Sequence, residues 1–138
     1  MKYPVIADSK KRGEWAEALF ITEALRRGWG VFTEHGDSSS YDVIISKGNL
    51  MRTIQVKSTF VVREKRSVWT VSRGSRKKTP YQSGLDFFAL YCHNTGVWTM
   101  VTPEEIAGRK TFTILHTNKN KNNNWHELED SKNCTTVS

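Results

Sequence analysis

Tyr41-Asp42-Val43-Ile44-Ile45-Ser46-Lys47-Gly48-Asn49-Leu50-Met51-Arg52-Thr53-Ile54-Gln55-Val56-Lys57-Ser58 is the stretch that decides the fold. Tyr41 to Ile45 reads as a strand, and Lys47-Gly48-Asn49 carries the glycine and asparagine of a hairpin turn. Met51 to Phe60 is the returning strand. Side chains alternate along a strand, so Ile54, Val56 and Ser58 share one face, and Thr53, Gln55, Lys57 and Thr59 share the other. Asp42 and Lys57 thus sit inside otherwise apolar strands, where a charge is costly unless it is paired or bound to a cation.

Working outward, Ser9 to Arg27 reads as the main helix, with Asp8 or Ser9 as its cap and Gly28 as its stop. Ala16, Leu19, Phe20, Ile21, Ala24 and Leu25 form its apolar stripe, and Glu17 lies just beside it. Trp29 to Thr33 is a short strand, and Ser67 to Val71 another. Asp86 to Cys92 and Val97 to Val101 form a second hairpin, turning at Asn94-Thr95-Gly96. Pro103 to Gly108 is a short helix, and Thr111 to His116 a last strand. Asn118 to Asn124 is a Lys/Asn loop, and residues 118–138 are expected to be partly flexible. The fold class expected is α+β, one domain over residues 1–138 with a mixed, mostly antiparallel sheet.

A chain of 138 residues, 37% of them hydrophobic, has room for one core and the composition of a folded protein. No run of eighteen apolar residues occurs, so no membrane span is expected, and the N-terminus lacks the apolar stretch of a signal peptide. Cys92 and Cys134 lack the spacing of a zinc ribbon or redox motif, and a reducing cytoplasm fits both. The net charge is +7, and Lys47 to Tyr81 alone holds ten Lys/Arg against one acid, Glu64. Such one-sidedness is the footprint of a polyanion-binding surface, with a merely solvated face as the alternative.

Hydrolysis of a phosphodiester needs a divalent cation, oxygen ligands to hold it and a cationic group near the attacked phosphate. If Asp42 points to the face of Gln55 and Lys57, the hairpin brings together a carboxylate, an amide oxygen and an ammonium. A surface salt bridge between Asp42 and Lys57 is the competing reading.

Gly13-Glu14-Trp15-Ala16-Glu17, Tyr41-Asp42-Val43-Ile44 and Ile54-Gln55-Val56-Lys57-Ser58 together resemble the PD-(D/E)XK endonuclease superfamily. Within it the likeness is to the small branch with intron-encoded homing endonucleases, and archaeal Holliday-junction resolvases are similar in size and order. The resemblance covers roughly the first 60 residues well and the second hairpin more loosely. It implies a restriction-endonuclease-like mixed sheet flanked by helices. It implies that Glu17 helps bind the metal directly or through water, that Asp42 is the central metal ligand, that Gln55 stands where Glu or Asp is usual, and that Lys57 orients the attacking water. The cofactor implied is Mg2+ or Mn2+, the substrate DNA, duplex or branched, and the assembly a homodimer or higher. The resemblance thus points to a magnesium-dependent DNA endonuclease, with a junction resolvase or a non-cleaving DNA-binding module as alternatives. Gln55 is neutral and should weaken cation binding, and Tyr41 replaces the proline of the superfamily name.

Arg73, Arg76, Lys77 and Lys78 are candidate phosphate clamps in a basic loop, with Arg63, Lys65 and Arg66 as weaker ones. Tyr81 and Gln82 are in reach of the same work. His35, in the loop before Asp42, reads as an exposed histidine without a role, and Asp86 as either an auxiliary acid or a simple strand start. His93-Asn94 lacks the second histidine of a His-Asn-His nuclease. The tryptophans and phenylalanines, most of them at strand or helix periodicity, read as core rather than as base-stacking platforms.

Overall fold

The computed structural model describes residues 6–33, 41–71 and 84–130. Helix α1, Ser9–Arg26, begins where the Asp8 side chain accepts from the Lys10 N–H at 2.9 Å. Ala16, Phe20 and Ala24, spaced by four, form its buried stripe. Leu25, expected in that stripe, is 54% exposed because it falls on the outer side of the last turn. Gly28 ends the helix at a φ of 94°, a conformation glycine adopts without a Cβ clash.

The main sheet has five strands in the order β1-β2-β3-β6-β7. They are β1, Gly30–Thr33; β2, Val43–Lys47; β3, Leu50–Thr59; β6, Phe87–Cys92; and β7, Val97–Val101. Gly48, at a φ of 62°, makes the tight β2–β3 turn. Strands β3 and β6 run parallel, with Ile54 opposite Phe87 and Lys57 opposite Leu90, and the other pairs are antiparallel. The sheet is therefore mixed, as expected. A smaller sheet joins β4, Val62–Arg63, to β5, Arg66–Thr70, and to β8, Thr111–Leu115. Strand β4 has two residues, too few to leave a period-2 pattern in the sequence.

The sheet buries both faces differently. Helix α1 covers Val43, Ile45, Ile54, Phe87 and Ala89. On the opposite face Phe88, Leu90 and Val101 pack against Trp69 and Ile114 of the small sheet and Ile106 of helix α2, Pro103–Ile106. The Trp69 indole N–H donates to the Tyr91 carbonyl across that interface at 2.9 Å. Thr102 and Glu105 form a reciprocal capping box at the start of α2. Cys92 is buried, as its apolar neighbours predict.

The Lys/Asn loop and the residues after it, as far as 130, pack onto the core, and residues 131–138 lie outside the described ones. Asn124 is fully buried, with its amide accepting from the Met100 N–H at 2.6 Å and donating to the Met100 carbonyl at 2.9 Å. An asparagine side chain thereby satisfies a residue of β7 as a neighbouring strand does. Trp125 and Leu128, on the short 3-10 helix Trp125–Glu129, join the core beneath α1. Arg52, 1% exposed, holds this segment: Nε donates to the Leu128 carbonyl at 2.7 Å and Nη2 to that of Asp130 at 3.2 Å. The polar Lys/Asn composition hid these buried partners. Among the described residues, no helix is long and apolar enough to cross a membrane.

Candidate active site

The start of β2 shapes the site. Val43 stands opposite Ile54 in register, yet the Asp42 N–H also donates to the Ile54 carbonyl, at 2.8 Å. Two residues of one strand thus address one of the other, which is the signature of a bulge. Asp42 lies just ahead of β2 rather than within it. Its Oδ2 accepts from the Val56 N–H at 2.9 Å. Strand N–H groups point sideways in the plane of the sheet, so this bond draws the carboxylate to the sheet's plane rather than to one face.

That placement matters because the other candidates lie on different faces. Ile54 and Val56 pack toward α1. By alternation Gln55 and Lys57 belong to the face of the second core, and the Lys57 ammonium lies 5.9 Å from the Phe88 ring centroid. Glu17 projects from α1, beside the buried Ala16, against the first face. The condition that Asp42 points to the face of Gln55 and Lys57 is met only in part, because its carboxylate is held at the sheet's plane. Asp42, in between, interacts electrostatically with both Glu17 and Lys57.

The electrostatics follow from this geometry. Burial pushes the Asp42 carboxyl above its ordinary pKa, against the Val56 hydrogen bond and the Lys57 charge, which both lower it. Glu17 is also raised, first by burial, then by the Asp42 carboxylate, then by Glu14. Two half-buried acids, one raising the other, form a donor set whose repulsion a divalent cation relieves. No three His, Cys, Asp or Glu residues converge on a possible metal position among the described residues. Among the described residues a cation here would find two carboxylates at most, and its remaining ligands would be neutral oxygens such as the Gln55 amide or water, a set that magnesium accepts.

Asp86 has a structural place. Its Oδ2 accepts from the Thr53 N–H at 2.9 Å, and its own N–H donates to Thr53 Oγ1 at 2.9 Å, tying the lead-in to β6 to β3. Thr53 Oγ1 also donates to the Gly84 carbonyl. Glu14 is exposed, as expected for a helix acid. His93 stacks on Phe60 with centroids 4.0 Å apart, and its pKa is lowered by burial and then by Arg12. His116 Nε2 meets Ser67 Oγ at 3.1 Å. The group that sequence reasoning missed is the Val56 backbone N–H, which orients Asp42 and has no side-chain letter to reveal it. His35, Arg73, Arg76, Lys77, Lys78, Tyr81, Gln82 and Cys134 lie outside the described residues.

No curated protein sequence matches the chain. Among solved structures, a bacterial homing endonuclease, I-Ssp6803I, is similar with a TM-score of 0.73 and 21% identity, over 89% of this chain and 92% of that one. Hjc of Archaeoglobus fulgidus, a Holliday junction resolvase, is similar with a TM-score of 0.51 and 16% identity, over 77% of this chain and 85% of that one. At those identities the likeness shows the fold, a restriction-endonuclease-like α+β core. The family pattern for a PD-(D/E)XK endonuclease matches residues 7–132, nearly the whole chain, and the chain therefore belongs to that family.

Proposed function

We propose that this chain is a DNA endonuclease that depends on a divalent cation, magnesium or manganese, and works as one domain. The observation that carries the reading is the position of Asp42, pinned by Val56 between Glu17 and Lys57. Glu17 and Asp42 would hold the cation, with the Gln55 amide oxygen as a neutral third donor. When bound, such an ion neutralises charge on the phosphoryl oxygens and makes water a stronger nucleophile at neutral pH.

The remaining work falls to the chain. The Val56 N–H fixes one Asp42 oxygen, leaving the other for the ion. Lys57, on the strand beside that carboxylate, directs its ammonium charge to the attacking water and the phosphoryl oxygens, where negative charge builds as the phosphorus–oxygen bond breaks. The proton released by water passes to solvent. Basic residues near β3 attract the polyanion. Cutting both strands of a duplex calls for two such centres, so we assign a homodimer or a higher symmetric assembly.

The substrate we favour is duplex DNA with a defined site, as the name homing endonuclease says of one structural neighbour. A four-way junction, as for the resolvase, is the second substrate to be tested. A plasmid library with randomised inserts and a synthetic four-way junction are each incubated with wild type and Lys57→Ala in magnesium and in manganese. Cutting of either substrate by wild type, lost in Lys57→Ala, supports the reading. Equal inertness of both proteins on both substrates overturns it.

A further inference from the structure

The β4–β5 hairpin leaves β3 only two residues after Thr59 and ends in an exposed, basic tip. Its two central residues, Glu64 and Lys65, have φ values of 50° and 63°. Positive φ at both positions is the geometry of a type I′ turn, which Asn-Gly makes with little strain. Two ordinary residues held there are a strained choice that folding alone does not favour. The tip is nevertheless fixed, because the His116 N–H donates to the Lys65 carbonyl at 2.9 Å.

The small sheet that follows has one buried and one open face. Ser67, Trp69 and Ile114 point inward. Arg66 pairs with Leu115, and Val68 with Thr113, on the open face, where Arg66, Leu115 and Thr113 are exposed. Arg63 is opposite Arg66. Arg66 approaches Glu64 only at 3.7 Å, and among the described residues no carboxylate pairs with Arg63 or Lys65. The surface thus offers guanidinium and ammonium groups beside threonine hydroxyls and methyl groups.

We propose that this hairpin and the open face of its sheet enter a groove of duplex DNA and read base edges beside the cut, a specificity-determining element resting on the endonuclease reading above. A two-stranded ribbon fits the major groove, where arginine and lysine pair with guanine, and threonine and apolar groups meet the thymine methyl. The charge suits a polyanion, and the connection to the Lys57 strand is direct. Lys65 is eight positions beyond Lys57, at most about 29 Å of extended chain, or about eight base-pair steps at 3.4 Å each. The positions read therefore lie within about eight base pairs of the scissile bond.

The test is selection of bound sequences from a randomised duplex library, run in the Lys57→Ala background without cutting, and of cut sequences with active protein. One variant, Glu64→Asn/Lys65→Gly, removes the tip side chains while relaxing the turn, so it keeps the fold and melts no lower. A second, Arg63→Ala/Arg66→Ala, removes the guanidinium groups. The expected result is a loss of about tenfold in base preference at a contiguous block within that distance, with other positions unchanged. A uniform fall in affinity with preferences intact makes the hairpin a phosphate contact and overturns base reading. Unchanged preference and affinity overturn the proposal too. If the library is bound with the hairpin-dependent preference but never cut, the endonuclease reading fails while the hairpin reading stands.

Discussion

The Val56 backbone N–H donates to Asp42 Oδ2 at 2.9 Å, so the orientation of the central carboxylate is set by the strand that carries Gln55 and Lys57. An asparagine at position 42 keeps an oxygen to accept that bond and loses only the charge. Asp42→Asn is therefore expected to fold with stability within about 1 kcal/mol of wild type, while DNA cutting falls by about a hundredfold or more. Thermal melting and a cleavage time course measure the two effects on one protein.

Burial of the site's two carboxyls, with Asp42 also repelling Glu17, predicts a pH dependence. Asp42 and Glu17 have raised pKa values in the folded protein, so the folded chain holds their protons more tightly than the unfolded one. Their contribution to stability is complete below the ordinary carboxylate range, near pH 4, and is lost as pH rises through the folded values. Without metal, wild type should lose stability relative to Asp42→Asn as pH climbs above about 4. Denaturant unfolding of both proteins across pH checks this, and parallel curves contradict it.

A divalent ion held by Glu17 and Asp42, as proposed, would remove that repulsion and bind the folded state alone. At a hundred times its dissociation constant it adds about 2.7 kcal/mol, a rise of several degrees in melting temperature for a chain of this size. Glu17→Gln and Asp42→Asn should show much smaller rises. The measurement is a melting curve in chelator, magnesium and calcium.

Gln55→Glu would place a third carboxylate at the proposed cation site, on β3. The variant should need less magnesium for half-maximal cutting, with a lower stability in chelator because a further charge joins Asp42. A magnesium titration of cleavage rate, paired with a melt in chelator, reads both.

Arg52 predicts a purely structural effect. Arg52→Met removes the donor to two backbone carbonyls that tie Trp125 and Leu128 into the core. A loss of about 2–4 kcal/mol is expected, with a red shift of tryptophan emission as Trp125 becomes wet. Urea unfolding followed by fluorescence tests it, and an unchanged midpoint contradicts it.

The hairpin around Gly48 was legible because a turn former, period-2 alternation and charges inside apolar strands agree with one another. The α1 stripe was legible for the same reason, except at Leu25, where apolar character and helical position diverge. The location of Asp42 was harder: its type and rank in the chain were readable, but the bulge that swings it into the sheet's plane is a backbone event. Sequence alternation put Gln55 and Lys57 on one face and left the direction of Asp42 open; the hydrogen bond from Val56 places Asp42 between that face and the Glu17 side. The packing of residues 118–130 was not legible because Asn124 and Arg52 are polar residues buried through backbone partners, which composition cannot distinguish from solvated loop residues.

The most direct measurement is manganese binding to the purified chain, by calorimetry or electron paramagnetic resonance, with no DNA present. Wild type should bind about one ion at the site per protomer, Asp42→Asn and Glu17→Gln should bind it at least about tenfold more weakly, and Lys57→Ala should retain it. Equal manganese affinity in wild type and Asp42→Asn contradicts a metal centre built on Asp42.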